Sequence, residues 1–248
     1  MELAVAGGSV LVVALLVWLS VATARPPTEP VPDRGGYFDR WSALHGGYDP
    51  RGSGWARWWL GIAYRAGVPL ARRGVQPDVL TLWGAVAALG VVASSAAGGR
   101  WPLLALAVVV LSGLLDNLDG CVAVLTGRAT RFGQVLDSVV DRISDGLYLA
   151  ALWVLGAPGP LVVLAGSLMV LQEYARARAA AAGLSDIGVV TVWERPTRVV
   201  VTAFTLLFAG IAPAWAVTSV ASAGAGSWLV LGAVGLTQLL VTVRRRLA

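Results

Sequence analysis

Four aspartates lie inside stretches that are otherwise apolar. Asp116 and Asp119 bracket Asn117-Leu118, and Asp137 and Asp141 bracket Ser138-Val139-Val140. At a bilayer centre each carboxylate would cost about 2.5–3.5 kcal/mol, so their placement demands a compensating partner. Spacings of i, i+3 and i, i+4 set each pair on one face of a helix. The connection from Gly127 to Arg131 is short, which makes the two helices antiparallel neighbours. At 1.5 Å rise per residue, all four carboxylates then fall roughly 10–20 Å from that turn. Four carboxylates at one depth, with no opposing lysine or histidine, repel one another unless a divalent cation is bound. An all-oxygen ligand set favours Mg²⁺, Mn²⁺ or Ca²⁺. Gly120 and Gly133 are expected to let helices pack closely beside such a site.

The elements that position these acids must each cross about 20 apolar residues. Such runs occur near 4–23, 79–98, 101–125, 133–156, 159–180, 198–218 and 226–243, predicting about seven spanning helices. The first reads as a retained anchor over 1–24. Ala22-Thr23-Ala24 would suit a leader-cleavage site, but Glu2 stands where a basic segment belongs and Arg25 and Arg34 follow the run. Residues 25–53, dense in Pro, Gly and charge, read as a polar linker with no evident chemistry. Trp55, Trp58 and Trp59 alternate with Arg57, Arg65, Arg72 and Arg73, which suits an amphipathic interfacial helix over 54–74. His45, alone in the linker, reads as solvated.

Composition points the same way. Of 248 residues, 57% are hydrophobic and 13% charged, with a mean hydropathy of +0.73; soluble domains carry roughly 25% charged residues. All 19 basic residues are arginines, and the formal charge is +5. These arginines stand at the ends of apolar runs, not among aromatics on a polar domain. That excludes nucleic acid as the partner and points to lipid headgroups and phosphorylated substrates. They recur on alternate connections, at Arg72-Arg73, Arg128 and Arg131, Arg195 and Arg198, and Arg244 to Arg246, while those near 98–100, 157–159 and 222–226 are nearly uncharged. The expected topology is multi-pass in the cell membrane, amino terminus outside, with the acids opening to the cytoplasm. Cys121 is the only cysteine, so there is neither a disulfide framework nor a multi-cysteine metal site.

The two aspartate segments resemble the signature of the CDP-alcohol phosphotransferase family, D-x-x-D-G-x-x-A-R, eight residues, then G-x-x-x-D-x-x-x-D. Asp116, Asp119, Gly120, Ala123, Gly133, Asp137 and Asp141 match it in register, and Val124 replaces the arginine. Pro77-Asp78-Val79-Leu80-Thr81 is similar to the P-N-x-x-T that opens the family's first core helix, with Asp78 in place of Asn. The resemblance covers about 75–246 and implies an all-α integral membrane fold. Its six-helix core, assigned to 75–248, is preceded here by the interfacial helix and the extra anchor.

The resemblance further implies Mg²⁺ or Mn²⁺ held by Asp116, Asp119, Asp137 and Asp141 at the diphosphate of a CDP-alcohol, CDP-diacylglycerol or a smaller one. An alcohol acceptor attacks the β-phosphorus and releases CMP. Asp141 is the candidate general base or a further ligand, and Asp145, one turn on, a supporting acid. Gly120, Ala123, Gly133, Asp78 and Thr81 fall at the donor site. The arginine missing at 124 helps hold the diphosphate in the family, and Arg128, one turn later, covers the same helix face. Glu173-Tyr174-Ala175-Arg176-Ala177-Arg178-Ala179 and Trp193-Glu194-Arg195-Pro196-Thr197-Arg198 resemble segments of actinobacterial phosphatidylinositol phosphate synthases. Guanidinium forks suit a phosphorylated acceptor, so Arg176, Arg195 and Arg198 are candidate acceptor residues, with inositol phosphate the candidate acceptor. Membrane lipid as surroundings and a homodimer complete the expectation.

Two other classes compete. A divalent-cation transporter would also bury acids, but it would place them near the midplane between repeated halves; no internal repeat is evident, and the acids lie towards the arginine-rich ends. A catalytically disabled scaffold would follow if Val124 abolished donor binding. The sequence contains no G-x-x-x-x-G-K, G-x-S-x-G or H-E-x-x-H motif.

Overall fold

Residues upstream of the apolar core do more than link. The computed structural model describes residues 13–44, 46–184 and 191–247, without the Trp55 side chain. Glu2 and the first part of the expected anchor lie outside the described residues, as does His45. The described part of the anchor is helix α1, Val13–Ala22. Helix α2, Arg34–Leu44, follows within the expected linker. Asp33 caps it, its Oδ1 accepting from the Gly36 amide at 2.8 Å. Tyr37 and Phe38 turn inward and are buried, with Trp41 packed beside them. Gly35-Gly36 and the neighbouring prolines disguise this short apolar face in the sequence. Arg51 ties the segment to itself, donating to Asp39 at 2.8 Å and to the Gly35 carbonyl at 3.0 Å.

The expected interfacial stretch is helix α3, Gly54–Arg72, capped by Ser53, whose Oγ accepts from the Ala56 amide at 3.3 Å. Six long helices follow: α4 Pro77–Ala96, α5 Pro102–Thr126, α6 Arg131–Val154, α7 Gly159–Ala181, α8 Arg195–Ile211 and α9 Val217–Leu247. Proline at the first turn of α4, α5, α7 and α8 costs nothing there, because those amides lack intrahelical partners anyway. No strand occurs among the described residues.

By length and composition, three helices can cross a membrane: Pro77–Ala96, Pro102–Thr126 and Ala214–Leu247, the last including a 3-10 turn before α9. The other expected spans are helical but do not meet the same standard, and one boundary moves: α8 ends at Ile211, so the chain turns near 212–216, and the connection expected near 222–226 lies inside α9. Helix α6 carries Asp137, Asp141, Arg142 and Asp145, α7 carries Glu173, Arg176 and Arg178, and α8 has only 17 residues. The charges that make these helices chemically interesting also weaken them as plain apolar spans.

Two units emerge. One holds the residues up to Val86 together with Leu114–Asp141; the other holds Ala87–Gly113 and everything from Arg142 onward. The first unit's core joins Tyr37, Phe38, Leu60 and Ala63 to Leu118, Cys121, Val122 and Leu125 of α5. The Cys121 thiol donates to the Ala63 carbonyl at 3.3 Å. Burial, with Cys121 alongside, pushes the Tyr37 phenol well above its ordinary range. In the second unit α9 packs along α7 and α8 around Trp193 and Trp228, whose rings meet edge to face at 5.1 Å.

Candidate functional site

Helices α5 and α6 bring three of the four motif acids together. Asp116, Asp137 and Asp141 each offer a carboxylate oxygen, and these oxygens lie within 4.8 Å of one another. Oxygens on one Mg²⁺ at about 2.0–2.1 Å stand no more than about 4.2 Å apart. The triad therefore fits a hard divalent cation after a small side-chain adjustment. All three acids are half-buried, so the cluster is reachable yet partly desolvated, which strengthens its pull on a cation.

Asp119 stands apart from that triad. It is 6% exposed and accepts a hydrogen bond from the Thr81 hydroxyl at 2.5 Å. This gives the threonine of Pro77-Asp78-Val79-Leu80-Thr81 a physical purpose, since it joins the start of α4 to the second motif acid on α5. Trp59 performs a similar task, its indole donating to Asn117 Oδ1 at 2.9 Å, which ties α3 to the segment between Asp116 and Asp119. Sequence reading missed this contact. Asn117 inside the motif was its only signal, and a partner 58 residues away leaves no local trace.

A cavity of about 250 Å³ lies beside these acids. Asp119 and Asp137 line it, as do the five residues that the resemblance placed at the donor site, Asp78, Thr81, Gly120, Ala123 and Gly133, and Arg128, assigned to it by helix spacing. The substituted Val124 lines it as well. Gly120 differs from expectation. A Cβ there would meet nothing within 4 Å, so it keeps the cavity open and does not bring helices into contact. Gly133 is the close-packed one, since a Cβ would lie 3.2 Å from Asp78 Oδ1.

The candidate acceptor arginines belong to the second unit and sit in a charge network. Arg198 is fully buried. It donates to Asp145 at 2.8 Å, to Glu173 at 2.8 Å and to the Trp193 carbonyl at 3.1 Å. Its guanidinium is committed to protein carboxylates, an outcome that a helix-start arginine resembling a membrane anchor does not announce. Arg176 pairs with Glu194 at 2.7 Å and stays about a quarter exposed. Arg195 opens α8 one residue after Glu194. Asp145 is the buried supporting acid anticipated on α6, shared between Arg198 and Arg142. Arg142, not singled out from sequence, also pairs with Glu173 at 2.7 Å. Its signal was the i, i+3 spacing to Asp145.

An all-helical membrane protein with a carboxylate triad beside a signature-lined cavity is the class of molecule that fold and site define. Residues 75–242 match the CDP-alcohol phosphatidyltransferase family, and the chain belongs to that family. It is similar to the archaetidylinositol phosphate synthase of Aeropyrum pernix, 42% identical over 126 residues, a match covering 48% of this chain and 60% of that protein's length. It is 36% identical over 196 residues to the phosphatidylinositol phosphate synthase of Mycobacterium marinum, covering 69% of this chain and 80% of that protein. Among solved structures it resembles the Mycobacterium tuberculosis phosphatidylinositol phosphate synthase with CDP-DAG bound. There the TM-score is 0.61 and the identity 30%, over 73% of this chain and 93% of that one. The same relative was solved in complex with manganese and citrate.

Proposed function

We propose that this protein transfers a phosphatidyl group from a CDP-alcohol, foremost CDP-diacylglycerol, to a phosphorylated alcohol with release of CMP. The observation that carries this reading is the carboxylate triad opening beside a cavity lined by all six residues assigned to the donor. An acceptor of inositol phosphate is supported by the names of the relatives and by the guanidinium-rich segment around Arg176 and Arg195.

In this reading Asp116, Asp137 and Asp141 hold the divalent cation, Mg²⁺ or Mn²⁺. When bound, it neutralises charge on the diphosphate and makes CMP a better leaving group. Asp119, fixed by Thr81, completes the acidic wall. Arg128 holds the diphosphate from the cavity side in place of the arginine that Val124 displaced. The acceptor oxygen forms a bond to the β-phosphorus as the bond to the CMP oxygen breaks, and the acceptor's hydroxyl proton passes to the Asp141 carboxylate. Arg176 and Arg195 take the acceptor phosphate, and Arg198 supports Arg176 through the Glu173 carboxylate that both arginines share. The family core over 75–248 is anchored by residues 1–24 and by the interfacial helix at 54–74. The protein spans the cell membrane several times as a homodimer, and its site opens to the cytoplasm, an orientation that the arginine distribution supports.

The test is CMP release by purified protein with CDP-diacylglycerol and Mg²⁺, offered inositol 1-phosphate, glycerol 3-phosphate or serine, beside Asp141→Asn. Release that depends on one acceptor, on metal and on Asp141 supports the proposal. Absence of release with every acceptor overturns it.

A further inference from the structure

The segment ahead of the family core reaches into the cavity. Leu44, the last residue of α2, lines it, although α2 lies wholly outside the matched residues 75–242. Upstream of α2 the chain is pinned at three points. The Arg25 amide donates to the Gly74 carbonyl at 2.9 Å. The Pro26 carbonyl accepts from Arg128 Nη2 at 3.2 Å. The Pro32 carbonyl accepts from the Tyr64 hydroxyl at 3.1 Å. Downstream, the buried Tyr37 and Phe38 fasten α2 into the core that includes Cys121, Val124 and Leu125 of α5.

The pin on Arg128 carries the argument. Nη2 is taken by Pro26, whereas Nη1 is shielded from solvent and has no hydrogen-bond partner among the described residues. A guanidinium nitrogen left in that state costs stability unless a ligand satisfies it, and an oxyanion on the cavity side is the ligand its chemistry fits. A three-methylene stem in the turn after α5 is flexible by itself; a carbonyl acceptor from a distant segment fixes its direction before any ligand arrives.

We infer that residues 25–44 are a strap that forms part of the donor site. It holds Arg128 against the Pro26 carbonyl so that the free side of the guanidinium meets a diphosphate, and it closes the wall with Leu44. The inference rests on the donor reading above and extends it to a segment that the family core does not contain. Chain geometry gives a handle on the strap away from the cavity. Gly74 adopts φ +77°, and a Cβ there would collide with the Arg25–Pro26 backbone. Gly74→Ala therefore pushes the strap off its seat.

The experiment is the Kd of the Mn²⁺-loaded full-length protein for CDP-diacylglycerol in micelles, measured by titration calorimetry without acceptor. Gly74→Ala and Arg128→Ala are each expected to weaken binding about 10- to 100-fold, the loss of one charge-assisted contact. The double variant should be no weaker than either alone. Mn²⁺ affinity should stay within about twofold of wild type in every variant, because Asp116, Asp137 and Asp141 lie outside the strap. A Gly74→Ala protein that binds CDP-diacylglycerol within twofold of wild type overturns the strap. So does a weakened Gly74→Ala that loses Mn²⁺ affinity in step, because the loss is then general damage to the fold. Wild-type protein that binds Mn²⁺ but no CDP-diacylglycerol removes the donor reading, and the strap proposal with it.

Discussion

Asp116, Asp137 and Asp141 crowd their oxygens within 4.8 Å of one another, whereas from Arg142 onward Asp145, Glu173 and Glu194 each meet a guanidinium at 2.7 or 2.8 Å. The first region concentrates one sign of charge and the second alternates signs. A like-charge cluster raises the energy of the fold until a cation arrives, so it holds binding energy in reserve. An alternating network is satisfied from within. Breaking one partner leaves a buried charge exposed to the full desolvation penalty. Carboxylates are therefore arranged to suit a cation in one unit and to brace the fold in the other.

Substitutions can break that contrast, and the largest effect belongs to the cluster. Asp141→Asn should lower kcat for CMP release by about 100- to 10,000-fold, while the thermal midpoint of the metal-free protein does not fall, as scanning fluorimetry would record. The network gives the reverse pattern. Arg198→Met should destabilise the protein by about 3–5 kcal/mol in denaturant unfolding from micelles, and adding Asp145→Asn should return part of that loss. Chelation sharpens the comparison further. Removing Mg²⁺ should abolish turnover reversibly and cost about 2.7 kcal/mol of stability where metal had stood at about 100 times its Kd. Amide exchange should quicken around 114–120 and 133–141 and stay unchanged at 191–198. Smallest is Thr81→Val, which leaves Asp119 without its hydroxyl donor. A loss of about 1 kcal/mol and a few-fold rise in donor KM, read from unfolding and steady-state rates, would separate Asp119's supporting task from the triad's.

The acids and their helices were legible because the chemistry is local. Asp116 to Asp119 and Asp137 to Asp141 repeat at helical spacing, and acids among so many aliphatic side chains call for a compensating partner. Contacts between distant segments were not. Nothing beside Thr81 or Trp59 foretells Asp119 and Asn117 as partners. Arg198 resembled any helix-start arginine until Asp145 and Glu173 enclosed it. In 25–53 the prolines and glycines outvoted Tyr37, Phe38 and Trp41, three residues whose burial against α3 and α5 makes a helix out of an apparent linker.

Helix α9 runs for 31 residues, about 46 Å at 1.5 Å per residue, against a hydrocarbon thickness of about 30 Å. Its excess length ends in Arg244-Arg245-Arg246. Such a helix is long enough to span with tilt, and the arginine cluster suits the headgroup level, where it would act as the anchor that limits how far α9 slides along the bilayer normal.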